Sequence, residues 1–433
     1  MEARVARCGR RLGDRRLRKV LLIATASAAL AVTPALGASG GAGVGGSHRG
    51  ARHTGVVHTR KGTRAAGNPF SGRGMWIWVL GKSSGGNLGS IVSIAHRYGI
   101  KTLMVKSGDG TGMWAQFNHQ LVSILHGNGL RVCAWQYVYG NNPGLEAQVG
   151  ATAVRDGADC LLIDAESEYE GRYVQAQTYV GTLRRLIGAS FPVALAGFPY
   201  MDYHPGFPYS VFLGPGGAQY DVPQLYWWDI GDPVDTAYAH TYSFNRLYGR
   251  PIAPLGQVYD SPPAGQIVRF RQLAIAYGAP GLSWWDWQEA KGGAWRALSQ
   301  PVGPLATLSA RPTVPTIKKG WRGDVVVWAQ EHLVSAGYQI TIDGGFGPQT
   351  QSAVQLFQAA HGLNPDGVLG PATWQVLLRY AAPNIRWSTR RVASAASVSA
   401  GAATARPVPK SASLPATRDE IAGAGGAGSP GAG

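Results

Sequence analysis

The chain has 433 residues, 45% of them hydrophobic, and a formal net charge of +16. This is enough length and apolar content for two or three domains with real cores. The basic excess does not describe a nucleic-acid-binding face: residues 74–300 carry 15 Lys and Arg against 16 Asp and Glu, residues 316–382 carry 4 against 4, and the surplus lies towards the chain ends.

The first element is a basic run, Arg10–Lys19, followed by an apolar stretch from Val20 to Leu36 and small residues at Ala35, Gly37 and Ala38. Residues 1–38 read as a signal peptide, with the general and twin-arginine export routes both open. Residues 39–73 are rich in Gly, Ser, His and Arg and are expected to be a disordered basic segment. No later stretch is long and apolar enough to span a bilayer, so a secreted protein without stable membrane insertion is expected.

From residue 74 to residue 300 eight short β-like runs alternate with helical patterns. They are MWIWVL from Met75, TLMVKS from Thr102, RVCAWQYVY from Arg131, CLLIDAE from Cys160, PVALAGF from Pro192, VPQLYWW from Val222, PIAPLGQVY from Pro251 and GLSWWDW from Gly281. The fold class expected is α/β, a (β/α)8 TIM-like barrel, with a doubly wound sheet as the competing arrangement. The stretch after Phe198 lacks helical period, so a loop is expected in place of the fifth helix. Cys133 and Cys160 fall on neighbouring parallel strands, which seldom place two Cβ atoms suitably, so buried thiols are expected in preference to a disulfide.

Barrel active sites lie at the carboxyl ends of the strands. Reading those ends collects Trp78, Lys106, Trp135, Tyr137, Glu168, Tyr226, Trp228, Gln257, Trp285 and Trp287 as candidate substrate contacts. Aromatic faces cover the apolar C–H surface of a sugar, and carboxylates and amides take its hydroxyls. The sharpest element is LLIDAESEYEG, where Asp164 and Glu166 stand two apart on one side of an apolar strand. Two carboxyls buried together raise each other's pKa, which is what an acid that protonates a glycosidic oxygen requires. Glu166 is the candidate acid and Asp164 its partner, with Asp229 or Asp286 as alternative second carboxylates. The competing structural reading ties Asp164 and Glu166 to Lys106, or makes them a helix cap. No Cys/His cluster has metal spacing and no histidine sits in a nucleophile motif, so neither a metal nor an organic cofactor is expected.

IDAE (Ile163–Glu166) and WWDWQ (Trp284–Gln288) resemble the fourth and last strands of the family 25 lysozymes within the glycoside hydrolase superfamily. That resemblance implies hydrolysis of a wall glycan. That family's first strand carries an Asp where this chain has MWIWVL.

Residues 301–315 form a Pro-rich, semi-rigid linker. In residues 316–382, the two turns DGGFGPQT and DGVLGPAT frame an amphipathic helix, and GWRGDVVVWAQEHLVSAGY supplies another, so a small three-helix domain is expected. These repeated DGxxGPxT turns, the AVxxFQ-like helix and the closing TW resemble the type-1 peptidoglycan-binding domain. The resemblance implies peptidoglycan or another wall polysaccharide as partner, and a wall-associated location. A monomer is expected. Residues 383–433, ending in GAGGAGSPGAG, are expected to be a disordered tail. Two functions follow: a secreted wall hydrolase, or a non-catalytic glycan binder built on a glycosidase-like barrel.

Overall fold

The computed structural model describes residues 68–305 and 307–388. The segment read as a signal peptide, most of the basic segment and the chain after residue 388 lie outside the described residues.

Nine strands form one sheet: β1 Gly72–Ile77, β2 Ile100–Asp109, β3 Gly112–Met113, β4 Arg131–Val138, β5 Cys160–Ala165, β6 Val193–Ala196, β7 Tyr220–Asp221, β8 Leu255–Gln257 and β9 Gly281–Trp285. Eight of them run parallel in the order β7-β6-β5-β4-β2-β1-β9-β8, and β3 folds back antiparallel on β2. Parallel bridges Asp221–Ile252 and Gln224–Leu255 join the two ends of that order. The sheet is therefore a closed (β/α)8 barrel and not a doubly wound sheet. The outer helices are α1 Leu88–Arg97, α2 His119–Gly127, α3 Pro143–Arg155, α4 Tyr173–Ile187, α5 Tyr209–Phe212, α6 Trp227–Ile230, α7 Val234–Asn245, α8 Ala264–Ala276 and α9 Gly292–Ser299. Asn87, Asn118 and Asn142 cap α1, α2 and α3 by accepting from Ser90, Leu121 and Leu145 N–H. After Phe198 a loop with the single-turn α5 replaces a full helix, as expected.

The strands are apolar on both faces because one face fills the barrel and the other meets the helices. Met75, Ile77, Leu103, Val105, Val132, Ala134, Leu161 and Ile163 belong to the core under the helices. Trp76, Met104, Cys133, Trp135, Cys160, Leu162 and Trp285 form a separate buried cluster, the barrel interior. Trp76, Trp135 and Trp285 meet there with ring centroids 5.3–5.6 Å apart. Cys133 and Cys160 also sit there, and the expectation of free thiols is corrected: they form a disulfide. They are register partners, and their Cα atoms are 4.6 Å apart, within the range a disulfide spans. Gly256 has no room for a side chain, since a Cβ there would lie 2.5 Å from the Trp284 ring.

The second domain has three helices, α10 Asp324–Ser335, α11 Pro348–Ala360 and α12 Pro371–Leu377. Each DGxxGPxT turn wraps around a buried glutamine of the preceding helix. Gln330 Nε2 donates to Asp343 Oδ1, Gly345 O and Thr350 Oγ1, and Gln358 Nε2 repeats this with Asp366 Oδ1, Val368 O and Thr373 Oγ1. The Asp and Thr of the motif therefore build the turn.

This domain packs directly on the barrel. The Asp324 carboxylate is buried and accepts from Ser210 N (2.8 Å), Ser210 Oγ (2.7 Å) and Tyr248 OH (2.7 Å). Gly323, at φ 105°, lies so close to Pro205 that a Cβ would meet its carbonyl oxygen at 2.5 Å. Trp328 Nε1 donates to Leu247 O, and its ring lies 5.0 Å from that of Tyr248. The linker also lies on the barrel: Tyr277 OH donates to Ala310 O and Thr313 N–H to Ser243 Oγ. Two segments expected to be disordered are ordered where they are described. Phe70 is buried against Tyr220 ahead of β1, and Trp387 is buried 4.2 Å from the Tyr173 ring.

Candidate active site

The alternation that sends Trp76, Met104, Cys133, Trp135 and Leu162 inward continues to the carboxyl ends of the strands. The same phase carries Trp78, Lys106, Tyr137, Asp164 and Glu166 into a cavity of about 320 Å3. Trp135, Glu168, Tyr226 and Trp285 join its lining, so nine of the sequence candidates meet in one place. Trp76, Asp109, Tyr139, Gln224 and Leu255 complete it. Of these, Asp109 ends β2, Tyr139 follows β4, and Gln224 stands on the run after β7.

The other candidates do not reach the cavity. Asp229 and Trp228 are exposed on the short helix α6. Gln257 is fully buried, accepting from Asp229 N–H (3.1 Å) and donating to Tyr259 O (3.4 Å). Asp286 follows the inward Trp285 just past β9; it is fully buried, and desolvation pushes its carboxyl up to about 8. Trp287 packs 4.9 Å from Trp295 in the core under the helices and donates to Ser84 Oγ. Trp227 and Trp284 are core residues as well.

Within the cavity the acidic groups divide into two kinds. Asp109 and Glu168 are held by named partners: Lys106 Nζ donates to Asp109 Oδ2 (2.6 Å), Tyr139 OH to Asp109 Oδ1 (2.7 Å) and Tyr137 OH to Glu168 Oε2 (2.8 Å). Asp164 and Glu166 share a single donor, since Gln224 Nε2 lies 3.0 Å from both Asp164 Oδ1 and Glu166 Oε1. Lys106 is thus committed to Asp109, and among the described residues no ion pair reaches Asp164 or Glu166. Burial raises the Asp164 pKa well above its ordinary value; the charge of Glu166 adds to this and that of Lys106 opposes it. Burial also raises Glu166, opposed by the Gln224 amide, which favours the charged form. Two adjacent carboxyls that resist ionisation, with one amide between them, can hold and release a proton.

The aromatic wall is dense. Lys106 Nζ lies 4.4, 4.9 and 5.8 Å from the ring centroids of Trp114, Trp135 and Trp78. Among the described residues no group of His, Cys, Asp and Glu is disposed to hold a metal ion. No helix among them is long and apolar enough to cross a membrane.

Comparison with known proteins locates a peptidoglycan binding domain at residues 322–377. The zinc D-Ala-D-Ala carboxypeptidase of Streptomyces albus G is 38% identical over 94 residues, covering 19% of this chain and 37% of that protein. A peptidoglycan-binding protein from Clostridioides difficile, solved in complex with glutamine hydroxamate, is 43% identical over 17% of this chain and 48% of its own, with a TM-score of 0.16. The spore cortex-lytic enzyme SleL of Bacillus megaterium covers 55% of this chain and 75% of its own at 11% identity and a TM-score of 0.40. The chain spans about a third of the length of the curated relatives it matches.

Proposed function

We propose that this protein is a secreted, wall-associated glycan hydrolase, holding peptidoglycan through its C-terminal domain and cleaving a glycan in the barrel cavity. The observation that carries the reading is the Asp164–Gln224–Glu166 arrangement at the end of an aromatic-lined cavity. Glu166 is the acid: desolvation keeps its proton, and as the glycosidic bond lengthens that proton passes to the leaving oxygen. With one proton between the two carboxyls, carried by Glu166, the ionised Asp164 is in place to balance the positive charge that develops on the sugar. Cavity rings such as Trp78, Trp285 and Tyr226 provide apolar faces for the sugar.

The two carboxyls also constrain the stereochemistry. Their oxygens are both 3.0 Å from one nitrogen, so they cannot be farther apart than twice that distance. An inverting pair needs roughly 6.5–9.5 Å to admit a water between acid and base. The shorter spacing supports a retaining course. The interior disulfide fits a protein matured in an oxidising compartment, which supports export.

Replacing Glu166 by Gln keeps the size and the hydrogen bonding but removes the proton. The expected outcome is loss of reducing-end release from purified peptidoglycan by about 100-fold or more, with unchanged sedimentation with the wall. Full activity in E166Q would reject the assignment.

A further inference from the structure

The cavity holds one cation whose hydrogen-bonding capacity is unmet. Lys106 is 5% exposed, and an ammonium has three N–H donors, yet among the described residues it makes a single hydrogen bond, to Asp109. The indole N–H of Trp78, whose ring centroid is 5.8 Å from that ammonium, is buried and also lacks a partner among the described residues. Buried donors left unpaired are costly. Both belong to residues lining the cavity, so this part of the wall is built to receive an acceptor.

The charge around the ammonium decides which acceptor. Four carboxyl side chains line the same cavity, Asp109, Asp164, Glu166 and Glu168, against one lysine. Asp109 already neutralises Lys106 at 2.6 Å. Even with Asp164 and Glu166 protonated, as their burial favours, Glu168 remains, so an incoming carboxylate would meet net repulsion in a desolvated space. A neutral oxygen meets no such barrier.

We propose that Lys106 is a specificity determinant of the cavity, donating to an uncharged oxygen of the bound sugar, a hydroxyl or an acetamido carbonyl, while the carboxylate surplus around it excludes sugars that carry a carboxylate. This rests on the glycan reading and narrows its substrate class to uncharged sugars.

The test is binding of short soluble oligosaccharides to the E166Q protein, read by indole fluorescence, which the rings around Lys106 make sensitive to occupancy. Three oligomers of equal length are compared: plain hexose, N-acetylhexosamine and uronic acid. At least one neutral oligomer is expected to bind, with the uronic oligomer roughly tenfold weaker or worse. Adding K106M is expected to weaken neutral binding about tenfold or more, the range of a lost charge-assisted hydrogen bond. A loss confined to the N-acetylhexosamine oligomer assigns the acceptor as the acetamido carbonyl, and an equal loss for both neutral oligomers assigns it as a hydroxyl. Uronic binding as tight as neutral, unchanged affinity in a folded K106M protein, or no binding of either neutral oligomer would overturn the proposal. The comparison among oligomers uses intact Lys106 and so stands even if K106M fails to fold. Reducing-end release by the unmodified protein tests the hydrolase reading separately.

Discussion

Gln224 is the residue on which the protonation of the site turns. Its amide favours the ionised form of Glu166 against the desolvation that favours the neutral form. An acid whose pKa is raised stays protonated to higher pH, and activity that needs its proton declines as pH rises through that raised value. Q224L removes the group that holds Glu166 down, so the alkaline limb of kcat/KM should move to higher pH. A limb that stays in place, or moves to lower pH, would separate Gln224 from the titration of Glu166. Much of this site was legible in the sequence because β-strand alternation is strict: Trp76 and Trp78, Met104 and Lys106, Trp135 and Tyr137, Leu162 and Asp164 are inward pairs on paired strands. The candidates that miss the cavity lie mostly where that rule no longer applies. Trp228 and Asp229 are on a helical turn, and Trp287 follows the last paired residue of β9. Asp286 stands just past the end of β9. Gln257 is the exception on a strand, turned to backbone groups of its own neighbourhood.

At the scale of the elements, the parallel pair β4 and β5 carries both the interior disulfide and the catalytic candidates. Cys133 and Cys160 open the same register that places Tyr137 beside Asp164. That pairing depends on exact register, which the spacing of two cysteines in the sequence does not reveal. The bond closes a loop with a sequence separation of 27 residues. Replacing both cysteines by Ala should therefore lower stability by about 2–4 kcal/mol, measured by urea unfolding. Stability equal to that of the unmodified protein would mean that the packing of the paired strands alone accounts for this part of the barrel. The barrel and the three-helix domain were legible as separate periodic patterns. The role of the motif Asp and Thr residues as partners of Gln330 and Gln358 was not, since the glutamines come from outside the repeated turns.

For the molecule as a whole, the wall-binding domain is joined to the barrel by more than a linker. Asp324 begins α10 and takes side-chain hydrogen bonds from Ser210, Tyr248 and Tyr173 of the barrel. D324A leaves those donors facing an empty space, at a cost of roughly 1–3 kcal/mol or more. Its expected signature is faster proteolytic cleavage within residues 301–315, where the chain now lies against α7 and α8. A cleavage rate equal to that of the unmodified protein would show that Asp324 does not hold the domains together. Deleting residues 316–382 outright would strip the cover from Ser210 and Tyr248, so point substitution is the cleaner probe of the binding domain. The central claim, that two close carboxyls hydrolyse a glycan, is tested most directly by following the first product anomer by proton NMR as the protein cleaves a soluble β-linked oligosaccharide. Appearance of the β-anomer before mutarotation is the predicted result. An α-anomer formed first, or no cleavage of any glycan, would contradict the account.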